Sequence, residues 1–209
     1  MKKYLAIIVL SFSFFGWAQK APPSMIVESY SINKAIFETK KIPMKSHNGK
    51  KEFERYLSME LPYAPVKALY QDLQKRLGKK LITRKEAHIT VITPVEFDEA
   101  LSSKLTMSKI EEIAKKYDIQ NSPFTIKCLG RAEVKGNETY YLVVESEALT
   151  KIRSEIAREF VMNHGVMGVF KPVKYFFPHI TVGFTKRDLH LADGVVKDEK
   201  TCTAPVIIE

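Results

Sequence analysis

The sequence predicts an α+β fold of two similar lobes, each built mainly from antiparallel sheet flanked by helices. Three observations carry this expectation. Segments with strand-like alternation are interleaved with segments whose apolar residues recur at helical spacing. Two strand-like segments are joined by a turn, which reads as a hairpin. The tetrapeptide His-Ile-Thr-Val occurs at His88–Val91 and again at His179–Val182, each time in a strand pattern with a helix earlier in its half. Strands mixed with helices and joined by hairpins favour a largely antiparallel sheet.

The chain opens on Lys2 and Lys3, an apolar run from Tyr4 to Phe15, and small residues around Ala18. This is the pattern of a secretory signal, here residues 1–18, and the run falls short of the about 20 residues that a membrane span needs. The mature chain is then expected to start near Gln19, to work in the periplasm or outside the cell, and to make no stable membrane insertion. An uncleaved N-terminal anchor is the alternative. Residues 19–52, rich in Lys, Ser and Pro with a turn-like break at Ser46–Lys50, read as a partly mobile leader, and 53–209 as the folded domain.

Within that domain Tyr56–Leu61 alternates as a strand and Pro62 stops it. Val66, Leu69, Tyr70, Leu73 and Leu77 mark a helix ended by Gly78. Glu86–Thr93 reads as a strand closed by Pro94, and Ile110, Ile113 and Tyr117 as a second helix. Phe124–Leu129 and Thr139–Glu145 form the hairpin, turning at Lys135-Gly136-Asn137. Leu149, Ile152, Ile156 and Phe160 mark a third helix, and Tyr175–Phe184 a final strand.

A chain of 209 residues is long enough for a sizeable core, and its formal net charge of +9 suits a polyanionic ligand as well as plain solubility. In an oxidising compartment Cys128 and Cys202 can form a disulfide, although Cys128 in a strand also reads as a small buried side chain.

Side chains alternate faces along a strand, so His88 and Thr90 point one way while Ile89 and Val91 point the other; His179 and Thr181 repeat this against Ile180 and Val182. Set side by side, the two strands would offer two imidazoles and two hydroxyls to one space. Phosphoester cleavage needs a proton taken from a nucleophile and another given to the leaving oxygen, and histidine titrates near neutrality. Threonine hydroxyls can donate to the non-bridging oxygens as charge builds on them. No spacing of His, Asp, Glu or Cys suggests a metal site, so no cofactor is expected. The competing reading of the same residues is two half-buried strand histidines with ordinary β-branched neighbours.

The flanks add to the repeats. Ala87-His88-Ile89-Thr90-Val91-Ile92-Thr93-Pro94 resembles the first motif of the 2H phosphoesterases, and Phe177-Pro178-His179-Ile180-Thr181-Val182-Gly183-Phe184 resembles the second. Pro123–Gly130 and Tyr140–Glu145 look like the hairpin this family places between them. The resemblance runs from about Phe53 to Arg187, and Gly183–His190 looks closest to the Swiss Army Knife branch. It implies two pseudo-symmetric lobes around a central cleft, His88 and His179 as acid and base, Thr90 and Thr181 as phosphate-binding residues, and activity as a cyclic phosphodiesterase or 2′-5′ RNA ligase-like enzyme. The expected partner is a small phosphodiester or nucleotide, or a short RNA, and the chain is expected to be a monomer.

Among the neighbours, Arg187 is the basic residue chosen to draw phosphate and Tyr175 the aromatic chosen to stack on a base, while Phe184 reads as core. Lys174, Lys186, Arg84 and Lys85 read as solvated charges, His164 as a helix-end residue, and His47 and His190 as exposed loop residues. Asp98 reads as a cap or surface group. Two other classes of function fit the same residues: a binding module that holds a phosphorylated ligand without cleaving it, and a metal hydrolase with histidine ligands.

Overall fold

The structure, a computed structural model, describes residues 28–51 and 53–209. The signal-like segment 1–18 therefore lies outside the described residues. The fold is α+β with mainly antiparallel pairing. Strand β1 (Tyr30–Ile32) opens the described chain, followed by a 3₁₀ turn at Lys34–Phe37. Ile32 and Ile36 are buried in the main core, so this part of the expected leader packs on the domain. A polar, Lys-rich segment can pack in this way because a few apolar residues at the right spacing suffice to anchor it.

Strand β2 (Leu57–Glu60) pairs antiparallel with β3 (His88–Ile92), which puts Glu60 opposite His88 and Ser58 opposite Thr90. Helix α1 (Tyr63–Leu77) lies between them in sequence. Pro62 both ends β2 and serves as its N-cap, and Gly78 closes it in the left-handed conformation at φ +60°, where a residue without Cβ is at ease. Its buried face is Val66, Leu69 and Leu73, at the spacing read from the sequence. After β3, Pro94 starts a short helix α2 (Pro94–Glu99) that the sequence reading took for a plain stop. Thr93 and Glu96 cap it reciprocally, and proline costs nothing at a first-turn position whose N–H has no helical partner.

Helix α3 (Met107–Lys116) is capped by Thr106. Strands β4 (Thr125–Val134) and β5 (Asn137–Glu145) form the expected hairpin, turning through Lys135 and Gly136, both at positive φ. Helix α4 (Glu147–Met162) starts from Ser146. Strand β6 (His179–Phe184) is shorter than Tyr175–Phe184, because Pro178 has no N–H to add to a ladder and Tyr175–Phe177 lie in the preceding loop.

The C-terminal segment adds β7 (Cys202–Ala204) and β8 (Val206–Ile208), which the sequence reading did not find. The larger sheet runs β6-β5-β4-β7, all antiparallel, while β8 pairs parallel with β1 at the chain's other end. Cys128 and Cys202 are disulfide-bonded, with Cα atoms 5.7 Å apart. Among the described residues no helix is long and apolar enough to cross a membrane.

Strands β3 and β6 lie beside each other without sharing a ladder. Their halves are tied by a bridge between Ile82 and Phe184, with N–H to O distances of 2.7 and 3.0 Å. Gly183 stands where this approach is tight. A Cβ there would lie 3.2 Å from the Ile82 carbonyl oxygen and 3.1 Å from the Tyr70 ring.

Candidate active site

Both repeats fold as alternation dictates. Ile89, Val91, Ile180 and Val182 are wholly buried in the core, and His88, Thr90, His179 and Thr181 occupy the other face, each half-buried. The four residues are thus carried on two neighbouring strands.

Around His179 the surroundings are dense and polar. Its Nδ1 lies 2.8 Å from the Phe177 carbonyl oxygen, which can only accept, so Nδ1 carries the proton and Nε2 keeps its lone pair. Pro178, whose ring fixes its own φ, stands between that carbonyl and the histidine. The Lys197 ammonium sits 3.1 Å from Nε2 and 2.9 Å from Asp188 Oδ1. Asp188 also accepts from Thr181 at 3.0 Å, from Thr139 at 2.8 Å and from Arg84 at 3.3 Å. Tyr141, opposite Thr181 in the register, turns its ring edge-on to His179 at 5.8 Å, and Lys197 lies over that ring at 5.1 Å. Gly130 leaves room for Tyr141, since a Cβ there would fall 2.6 Å from its ring.

Burial, reinforced by Lys197, pushes the His179 imidazole down to about 3. Burial also lowers Lys197, against the pull of Asp188. Although burial works to raise the Asp188 carboxyl, Lys197 holds it well below the usual carboxylate range.

His88 stands among acids instead. Glu86 Oε1 lies 3.7 Å from its Nδ1, and Glu60 faces it across the ladder. Burial lowers its affinity for a proton, and Glu86 and Glu60 work against that. Glu60 is itself almost wholly buried. It accepts from Ser58 at 2.7 Å and pairs with Lys45 at 3.0 Å and His47 at 3.5 Å. Burial would raise its carboxyl, but these partners bring it to about 2. His47 is therefore no exposed loop residue: it stacks on Tyr56 at 3.9 Å, and Tyr56 in turn lies 6.1 Å from His88. A turn-like sequence gives no sign of such packing, because the contacts are made across the chain.

The other residues expected from the sequence have their own partners. Arg187 is 61% exposed in its side chain and is bound bidentately by Asp193, while Arg84 is the arginine that reaches Asp188. Tyr175 is exposed in the loop before β6, with Lys174 5.3 Å and Lys171 5.8 Å from its ring. Phe184 is core, His190 is exposed, and Asp98 is ion-paired with Arg55 at 2.8 Å. Among the described residues no three His, Cys, Asp or Glu side chains converge as a metal-ligand set.

Asp188, Lys197, Glu60 and Tyr141 are not among the residues expected from the sequence. Ser58 and Glu60 had a signal, as two polar residues on one face of an otherwise apolar strand. Lys197, eighteen residues beyond His179 in an irregular segment, had none.

Residues 55–190 match the model of the Swiss Army Knife 2H phosphoesterase domain. The chain belongs to this 2H phosphoesterase family. Lys197 lies beyond the matched span, whereas both His-x-Thr repeats and Asp188 lie inside it. No curated protein and no solved structure matches the chain.

Proposed function

We propose that this 2H phosphoesterase is an exported phosphodiesterase that hydrolyses a cyclic phosphate or a short nucleotide phosphodiester without a metal, by two-histidine acid–base catalysis. The observation that carries the reading is the shared register of the repeats: His88 with Thr90, and His179 with Thr181, on the non-core faces of adjacent strands. A phosphodiester lying between β3 and β6, in a central cleft flanked by pseudo-symmetric lobes, would meet both imidazoles. One would take a proton from water as the new P–O bond forms. The other would protonate the departing ribose oxygen. Thr90 and Thr181 would hold the non-bridging oxygens, and the Thr181 hydroxyl would exchange its bond to Asp188 for one to phosphate. Tyr175 and Arg187 remain the outer substrate-binding candidates. The signal-like residues 1–18 support export.

The test is turnover of 2′,3′-cyclic nucleotides and 2′-5′ linked oligonucleotides by the purified mature protein. His88→Ala and His179→Ala should each lower kcat by about 100-fold or more, as expected for loss of a general acid or base, with circular dichroism unchanged. Full activity in either variant would sink the mechanism, and loss of activity on chelation would sink its metal independence. Tight calorimetric binding of a nucleotide with no product would instead mark a binding module.

A further inference from the structure

The two histidines stand in different fields, and a residue outside the family match contributes to the difference. Around His88 the nearest charged groups are Glu86 and Glu60, with Arg84 and His47 further out and Tyr56 against the ring. Around His179 they are Lys197 and Asp188, with His190 beyond. Lys197 faces Asp188, Arg84 and Asp193 as well. Its side chain is 3% exposed and that of Asp188 4%, so an ammonium and a carboxylate have been taken out of water together. Such a pair is costly to bury and is weak evidence for stability alone. Here the ammonium points at the one nitrogen of His179 that is free to do chemistry.

We propose that Lys197, anchored by Asp188, is a positioning residue that keeps His179 unprotonated and so makes it the base, leaving His88 as the acid. The inference rests on the two-histidine reading above. An ammonium 3.1 Å from Nε2 donates to its lone pair and repels a proton there. Nδ1 cannot compensate, because its proton is already committed to Phe177. When a phosphodiester anion arrives, its oxygen competes for the ammonium and the Nε2 lone pair is released to water. Water gives its proton to Nε2 as the P–O bond forms. His88, where Glu86 and Glu60 oppose the loss of proton affinity that burial causes, gives its proton to the leaving oxygen as the other P–O bond breaks. Solvent then restores both protons. A base below its acid in proton affinity is the order in which both are correctly protonated at once.

The test uses the mature chain with histidine rings labelled for NMR, His179 and His88 being assigned by their alanine variants. In the wild type His179 should titrate well below the ordinary imidazole range. In Lys197→Met its midpoint should rise by about one pH unit or more, a tenfold change in proton affinity, and Lys197→Arg should largely restore it. If Lys197→Met does not fold, Lys197→Met combined with Asp188→Asn removes both buried charges and is read in the same way. In kinetics on a 2′,3′-cyclic nucleotide, the acidic limb of kcat/KM should move up with Lys197→Met, and the alkaline limb should move down with Glu86→Gln. A His179 midpoint that ignores Lys197→Met overturns the inference, as does an acidic limb that follows Glu86→Gln instead. Failure of the two-histidine reading is a separate result: no probe is turned over by the wild type, while the His179 titration is unaffected by that failure.

Discussion

Glu60 and Asp188 are buried carboxylates whose partners hold them ionised, and this makes stability depend on acid. Their folded-state affinities for a proton lie below those of the unfolded chain. The stability they contribute is therefore present above the unfolded value and is lost as pH falls through the folded one. For Glu60, moved from 4.5 to about 2, that window lies between the two values. The thermal midpoint should fall steadily as pH drops across it, and Glu60→Gln should flatten this part of the curve while lowering stability near neutrality. The Glu60 contribution is of the order of 3 kcal/mol at most, taking 1.36 kcal/mol per unit. Scanning calorimetry at a series of pH values checks it. A buried histidine acts in the same direction: His179, neutral when folded, also resists acid poorly because it must charge in the unfolded chain.

At the scale of elements, α2 holds the loop before β6 in place. The Thr93–Glu96 capping box fixes its start, and Glu96 also binds the buried Arg153 of α4 at 2.6 Å. Arg153 in turn donates to the Val91 carbonyl and, at 2.6 Å, to the Pro172 carbonyl, and lies over the Phe170 and Phe176 rings. Loss of the cap in Thr93→Ala should cost about 1 kcal/mol. Arg153→Met should cost more, since it leaves one Glu96 oxygen and the Val91 and Pro172 carbonyls without the guanidinium donor, and should loosen the segment 170–176 that leads into His179. Urea melts measure the first, and hydrogen exchange across that segment the second. The sheet itself tolerates little change behind Tyr141: Gly130→Ala should displace the ring that flanks His179 and lower both stability and kcat.

At the scale of the whole molecule, the C-terminal segment completes the fold and the site together. Strand β7 adds to the edge of the larger sheet, β8 pairs with β1, and the Cys128–Cys202 bond closes a separation of 74 residues. A cross-link of that span is worth about 4 kcal/mol in chain entropy. A Cys128→Ser/Cys202→Ser double variant should melt at lower temperature than the oxidised protein, and reductant should lower the melting point of the wild type alone. Lys197 lies just before that anchor, so the double variant should also raise the His179 midpoint if the segment loosens.

Much of this was legible in one dimension. Alternation placed His88, Thr90, His179 and Thr181 on one side of their strands, because strand period is a local property of the backbone. Helical spacing located α1, α3 and α4, and the turn Lys135-Gly136-Asn137 marked the hairpin. The flanking motifs carried the family. Other features depended on residues distant in sequence. Residues 19–52 read as a leader, yet Ile32 and Ile36 within it lie in the core, and β8 is a strand because β1 lies beside it. Which histidine sits among acids and which beside an ammonium is likewise a tertiary fact. Electrostatic fields depend on distance in space, and only folding brings Lys197 and Asp188 to one imidazole and Glu60 and Glu86 to the other.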